Sequence, residues 1–193
     1  MVEQWSSFFD ARDLALGCEQ WVQLLYNVIN TNIHITHGTE EFMTSDPDNL
    51  IPELQDWNEG RGIDLSGYLQ CLGNYELAIA FVHFFWPSFV EHDGCVLRVA
   101  PDIKNYEDWK KSFAGDRSGI ESMLNHVHIV DIFPNVDNPP TRQQILYLGR
   151  QLQAMWISKL QRDFRDKQFA VEFHEDGGDD LVEYQITCYQ IRP

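Results

Sequence analysis

The run "MLNHVHIVDIF", Met123 to Phe133, sets two histidines and an aspartate at strand-like spacing inside an apolar stretch. Alternation along a strand puts His126, His128 and Val130 on one face and Asn125, Val127, Ile129 and Asp131 on the other. Two imidazoles on one face can reach a single metal ion or act as an acid/base pair. Either chemistry needs further groups. A third metal ligand has to come from His34, His37, His83, His92, His174 or a carboxylate delivered by the fold, because a regular strand turns Asp131 away and no H-x-x-x-H or second H-x-H occurs. The catalytic candidates are therefore His126, His128 and Asp131, and the metal candidates His126 and His128. A plain strand carrying polar residues is the competing reading.

Other polar clusters have simpler explanations. "FVEHDG", Phe89 to Gly94, groups Glu91, His92 and Asp93, which could hold a cation but also reads as a turn entering a strand. "HEDGGDD" gathers Asp176, Asp179 and Asp180 without the spacing or terminal Glu of a calcium-binding loop, so a Gly-Gly hairpin loop with solvated acids is the better account. His83 lies near the end of an apolar helical pattern and reads as a core or helix-end residue. No G-x-S-x-G elbow, S-x-x-K pair or signature cysteine offers a nucleophile. "GRG" at Gly60 to Gly62 satisfies neither phosphate-binding glycine pattern, and no cofactor is expected. Cys18, Cys71, Cys95 and Cys188 form no C-x-x-C pair and are expected to be reduced, buried thiols.

Charge is the strongest bulk signal. The 193 residues carry 14 Lys and Arg against 30 Asp and Glu, a formal net charge of −16. Residues 1–97 hold 15 acids and two bases, Arg12 and Arg61, for a net −13, whereas residues 98–193 hold 15 acids and 12 bases, for −3. Such a field repels nucleic acid and anionic membrane, and it steers a basic partner. The densest stretch runs from Glu40 to Asp64. The expected partner-binding residues are Glu40, Glu41, Asp46, Asp48, Glu53, Asp56, Glu59 and Asp64, with Trp57 as the aromatic anchor. A solubilising surface is the alternative reading of the same acids.

These residues need elements to position them. Leu14, Cys18, Trp21, Leu25 and Val28 recur at helical spacing from Asp10 to Asn30, with Asp10 as N-cap, and "NTNIHITHG" alternates like a short strand. Residues 40–67 form an irregular acidic connection, with one short helix around Leu50 to Trp57. A helix from Ser66 or Asn74 to Phe85 is apolar nearly all round, which predicts a central, buried element ended by Pro87. "CVLRVA" predicts a strand, Asn105 caps a short helix, Ser118 and Glu121 form a capping box, and "VHIVDIF" predicts a strand closing at Pro134. Thr141 and Gln144 box the longest helix, which runs to about Phe164. "QFAVEFH" and "LVEYQITCYQI" flank a Gly-Gly loop as a C-terminal hairpin. The sum is a single α+β domain spanning residues 1–193, a mostly antiparallel sheet with its C-terminal hairpin packed against several helices.

The order "FFWPSFVEHDGCVL", "GDRSGIESMLNHVHIVDIF" and "LGRQLQAMWISKLQRDFRDKQFAVEF" resembles a group of small bacterial cytosolic proteins of unassigned function, over roughly residues 75–175. That resemblance implies no particular activity or catalytic residue. By size and charge the chain also looks like an immunity protein, one that neutralises a basic nuclease or other toxin. No apolar run approaches the length of a membrane span, the longest being "LAIAFVHFFW", and the N-terminus lacks secretory-signal features, so a cytoplasmic location is expected. The leading expectation is a non-catalytic binding protein, with an immunity or inhibitor protein as its sharpest form, docking a basic protein through its acidic N-terminal half. The alternative is a metal-assisted hydrolase or other small-molecule enzyme centred on His126 and His128. A sensor with an apolar pocket between helices and sheet is a third possibility.

Overall fold

The computed structural model describes residues 46–98, 102–134 and 138–192. Contacts divide the chain at Thr44 and Ser45, and all described residues belong to the second unit, Ser45–Pro193. The expected helix from Asp10 to Asn30, the strand at Asn30 to Gly38, and Cys18, His34, His37, Glu40 and Glu41 lie outside the described residues.

The described residues adopt an α+β fold with two small antiparallel sheets. β1 (Val90–His92) and β2 (Cys95–Leu97) pair as a hairpin in which His92 faces Cys95. Asp93 and Gly94 alone join them, at φ of 49° and 76°. Two consecutive positive φ values follow the right-handed strand twist, which is why an Asp-Gly pair occupies the turn. The second sheet has the order β3-β5-β4, with β3 at Val127–His128, β4 at Gln168–His174 and β5 at Gln185–Ile191. β4 and β5 form the C-terminal hairpin read from the sequence, in register from Gln168 opposite Ile191 to His174 opposite Gln185.

Among the described residues, five α-helices of eight or more residues accompany the sheets: α1 (Leu65–Leu72), α2 (Tyr75–Phe85), α3 (Ile103–Ser112), α4 (Arg117–Asn125) and α5 (Arg142–Asp163). Each has an N-cap side chain accepting from the first turn, which satisfies an amide with no partner inside the helix: Asp64, Asn74, Asp102, Asp116 and Thr141. The T-x-x-Q box at Thr141 and Gln144 forms as expected. Two other caps differ from the sequence reading. Asp102, rather than Asn105, starts α3, and Asp116, rather than Ser118, starts α4.

α5 supplies one side of the core. Ile145, Leu152, Trp156 and Leu160 recur at helical spacing and pack against Val171 of β4 and Ile186 and Cys188 of β5. Each such fully buried aliphatic side chain contributes about 1.5–3 kcal/mol. The chains approach closely where Gly149 of α5 meets the Phe173 ring, since a Cβ there would overlap ring carbons. A second cluster forms around Cys95, Leu97, Tyr106 and Ile120.

α4 ties the sheets together with two polar side chains four residues apart on one helical face. Glu121 and Asn125 are both fully buried. The Glu121 carboxylate accepts from Val96 N and Gln190 N, each at 2.7 Å, and pairs with the Arg192 guanidinium at 2.8 Å. Asn125 accepts from Arg98 N at 2.8 Å and donates to the carbonyls of Val96 and Cys188 at 2.9 and 3.0 Å. These two side chains therefore stand in for a strand between β2 and β5, whose edge groups would otherwise be buried without partners.

Three further expectations are corrected. "VHIVDIF" leaves the sheet after His128, because Ile129–Ile132 forms a 3-10 turn. α2 is not buried: none of its side chains is fully enclosed, and Tyr75, Ile79 and Val82 are 88%, 72% and 61% exposed. Cys95 and Cys188 are buried free thiols, but Cys71 is exposed. Burial pushes the Cys188 thiol up to about 12, which keeps it protonated and inert.

Candidate functional site

Two places carry the residues singled out from the sequence. At the first, His126 is the residue after α4, and its Nδ1 lies 3.0 Å from the carbonyl of Met123, one of the carbonyls that a helix end leaves without an internal partner. His128 belongs to β3, opposite Gln185 of β5, and its Nδ1 lies 2.6 Å from the carbonyl of Val182 in the 3-10 turn Leu181–Glu183. Helix end and sheet edge thus orient one ring each. The two Nε2 atoms meet at 3.2 Å, with the ring planes crossed at 83°.

His126 also lines a cleft of about 580 Å³, together with Ser122, Glu172, His174, Gln185 and Thr187. Cross-strand pairing sets His128, Gln185 and His174 in one row across β3-β5-β4. No group of three or more His, Cys, Asp or Glu able to hold a metal converges among the described residues. Asp131 is exposed within the 3-10 turn, His83 lies on exposed α2, and His92 packs edge-on against Tyr106 with 4.6 Å between ring centroids. The Glu91–Asp93 grouping is split into separate pairs. Glu91 binds Lys167 at 2.7 Å, and Asp93 accepts from Lys110 and from Tyr106. The bond from Lys110, with that from Tyr106, holds the Asp93 carboxyl below its usual range.

The second place is the segment from Asp46 through Phe85. Its first part runs in 3-10 turns at Pro47–Leu50 and Pro52–Asp56, where the sequence reading places one short helix around Leu50 to Trp57, and Leu50 and Leu54 are its only buried side chains. Trp57–Gly60 is a left-handed turn, since Asn58 and Glu59 take φ of 54° and 62°. Of the acids proposed to meet a partner, Asp46 caps Asp48 N, Asp64 caps Gly67 N, and Glu53 accepts from the Tyr68 hydroxyl at 2.9 Å. That bond to a carboxylate raises the Tyr68 pKa. Asp56 and Glu59 are exposed and Asp48 is half-buried. Trp57 is half-buried too, stacked edge-on against Tyr68 at 6.0 Å, which makes it a fixed platform for the loop.

Sequence reasoning missed the most conspicuous part of this region. Leu69, Leu72, Tyr75, Leu77, Ile79 and Val82 are all at least half exposed on α1 and α2. α2 is held at its C-terminal end, where Phe84 and Phe85 reach the core and Phe81 stacks edge-on against Phe133 at 5.8 Å. Phe133 also lines an apolar pocket of about 340 Å³ between the Pro47–Ile51 segment, the Ile129–Ile132 turn and α5. The sequence shows only a helix apolar nearly all round, followed at once by Trp86 and Pro87, a pattern that reads as core whether or not anything covers it. From Asp46 to Leu97 the sequence holds nine acids and a single base, Arg61.

No family model, curated protein or solved structure matches the chain. No helix among the described residues is long and apolar enough to cross a membrane.

Proposed function

We propose that this is a non-catalytic binding protein whose acidic segment and exposed helix α2 dock a basic protein partner, with an immunity or inhibitor protein as the sharpest form. The observation that supports this reading is the exposed apolar face of α2 beside a segment whose only base is Arg61. Contiguous apolar side chains in water carry a free-energy cost that a partner relieves, and acids around them select the partner's charge. Ile79 and Val82 supply the apolar contact, Asp48, Asp56 and Glu59 the complementary charge, and Trp57 an aromatic anchor at the edge. The likeness in size and charge to proteins that neutralise basic nucleases or toxins points the same way. A cytoplasmic location suits such a role.

The test starts with the immobilised full chain and native-cell extract, and continues with the retained protein in purified form. The expected result is a basic protein bound in a defined ratio, with affinity falling at least about tenfold between low and high salt. Binding is lost in the Ile79→Gln, Val82→Gln double variant and weakened in Asp48→Asn, Asp56→Asn, Glu59→Gln. An acidic or absent partner, binding indifferent to both variants, or a self-association that covers α2 overturns the reading.

A further inference from the structure

His126 and His128 pose a problem of protons. A backbone carbonyl only accepts hydrogen bonds, so the Nδ1 of His126 against Met123 O and the Nδ1 of His128 against Val182 O must both carry the hydrogen. In two neutral rings each Nε2 then bears a lone pair, and the two lone pairs face each other across 3.2 Å. That arrangement is repulsive unless an electrophile lies between them. A proton shared along a straight N–H···N bond of that length would hold the ring centroids about 5.5 Å apart. The centroids are 4.9 Å apart, so at least one of the two Nε2 axes is bent off the line between the nitrogens.

We infer that His126 and His128 form a two-imidazole site for one metal ion that takes tetrahedral coordination, of the Zn²⁺ kind. Two imidazole nitrogens about 2.0–2.1 Å from a tetrahedral ion stand about 3.3–3.4 Å apart, and the 3.2 Å observed falls within the tolerance of about 0.2 Å expected of such sites. Both rings also carry the supporting bond typical of metal-bound histidine, in which the second ring nitrogen donates to a backbone carbonyl, fixing tautomer and orientation. Imidazole favours a borderline ion of this kind over Mg²⁺ or Ca²⁺, which require oxygen. With no third His, Cys, Asp or Glu converging among the described residues, the ion keeps open positions for water or for a donor atom of an incoming molecule. This site is independent of the docking face on α2.

The test is titration of the full chain with Zn²⁺ alone, read by calorimetry and by ¹⁵N NMR of the imidazoles. The expected result is one ion per chain, with the Nε2 signals of His126 and His128 moving together while both Nδ1 atoms stay protonated. His126→Asn and His128→Asn each keep a side-chain amide able to donate to the same carbonyl but lack Nε2. Each lowers Zn²⁺ affinity at least about tenfold and leaves the unfolding midpoint of the metal-free protein unchanged. Three results overturn the inference: no binding, binding that both variants retain, or ¹⁵N shifts placing a proton on either Nε2 in the presence of Zn²⁺.

Discussion

β5 and α2 are both rich in apolar side chains, yet β5 buries Ile186 and Cys188 to 1% exposure or less, whereas α2 leaves Ile79 and Val82 mostly in solvent. The difference lies in what surrounds each element. β5 has a strand on either side, α5 across one face, and the side chains of Glu121 and Asn125 meeting the backbone groups that hydrogen-bonded strands leave over. α2 is anchored by Phe84 and Phe85 at its last turn, and the rest of its apolar surface meets no buried cluster among the described residues. Apolar composition supplies a drive towards burial, but neighbours of matching shape and satisfied polar groups decide whether burial occurs.

Glu121→Ala removes the acceptor for two backbone amides and leaves Arg192 without its carboxylate, so a loss of about 3–5 kcal/mol in urea unfolding is expected. A loss below about 1 kcal/mol would mean that α4 does not bridge the two sheets. Gly149→Ala tests the contact between α5 and β4. Alanine gains about 1 kcal/mol of helix propensity, but its Cβ must displace the Phe173 ring, so a net loss of about 1–3 kcal/mol is expected in the same assay. Stabilisation by this substitution would show that the ring moves aside without cost.

The sequence made the hairpin legible because "QFAVEFH" and the strand after the Gly-Gly loop obey period two, and one face is buried as that period requires. Thr141 and Gln144 announced α5 through a local interaction that survives in the fold. Long-range choices were less visible. Glu121 looked like a capping residue at three positions after Ser118, but its partners lie on β2 and β5, which no local spacing reveals. Ser118 instead donates its hydroxyl to Gln190 O. The proximity of His126 and His128 followed from alternation, while the departure of Asp131 into a 3-10 turn did not, since Ile and Val at that point suit a longer strand equally well. The acidic loop was recognisable by composition. The apolar face beside it was read as core because periodicity reports an apolar surface and not what covers it.

As a docking helix, α2 must present a face that the folded chain does not use for its own stability. Chemical unfolding of the full-length Ile79→Gln, Val82→Gln variant measures this directly. The expected change is within about 0.5 kcal/mol per substitution, as for exposed helix positions. A loss of about 2–5 kcal/mol, the cost of truncating a core side chain, would contradict it and place α2 in the interior after all.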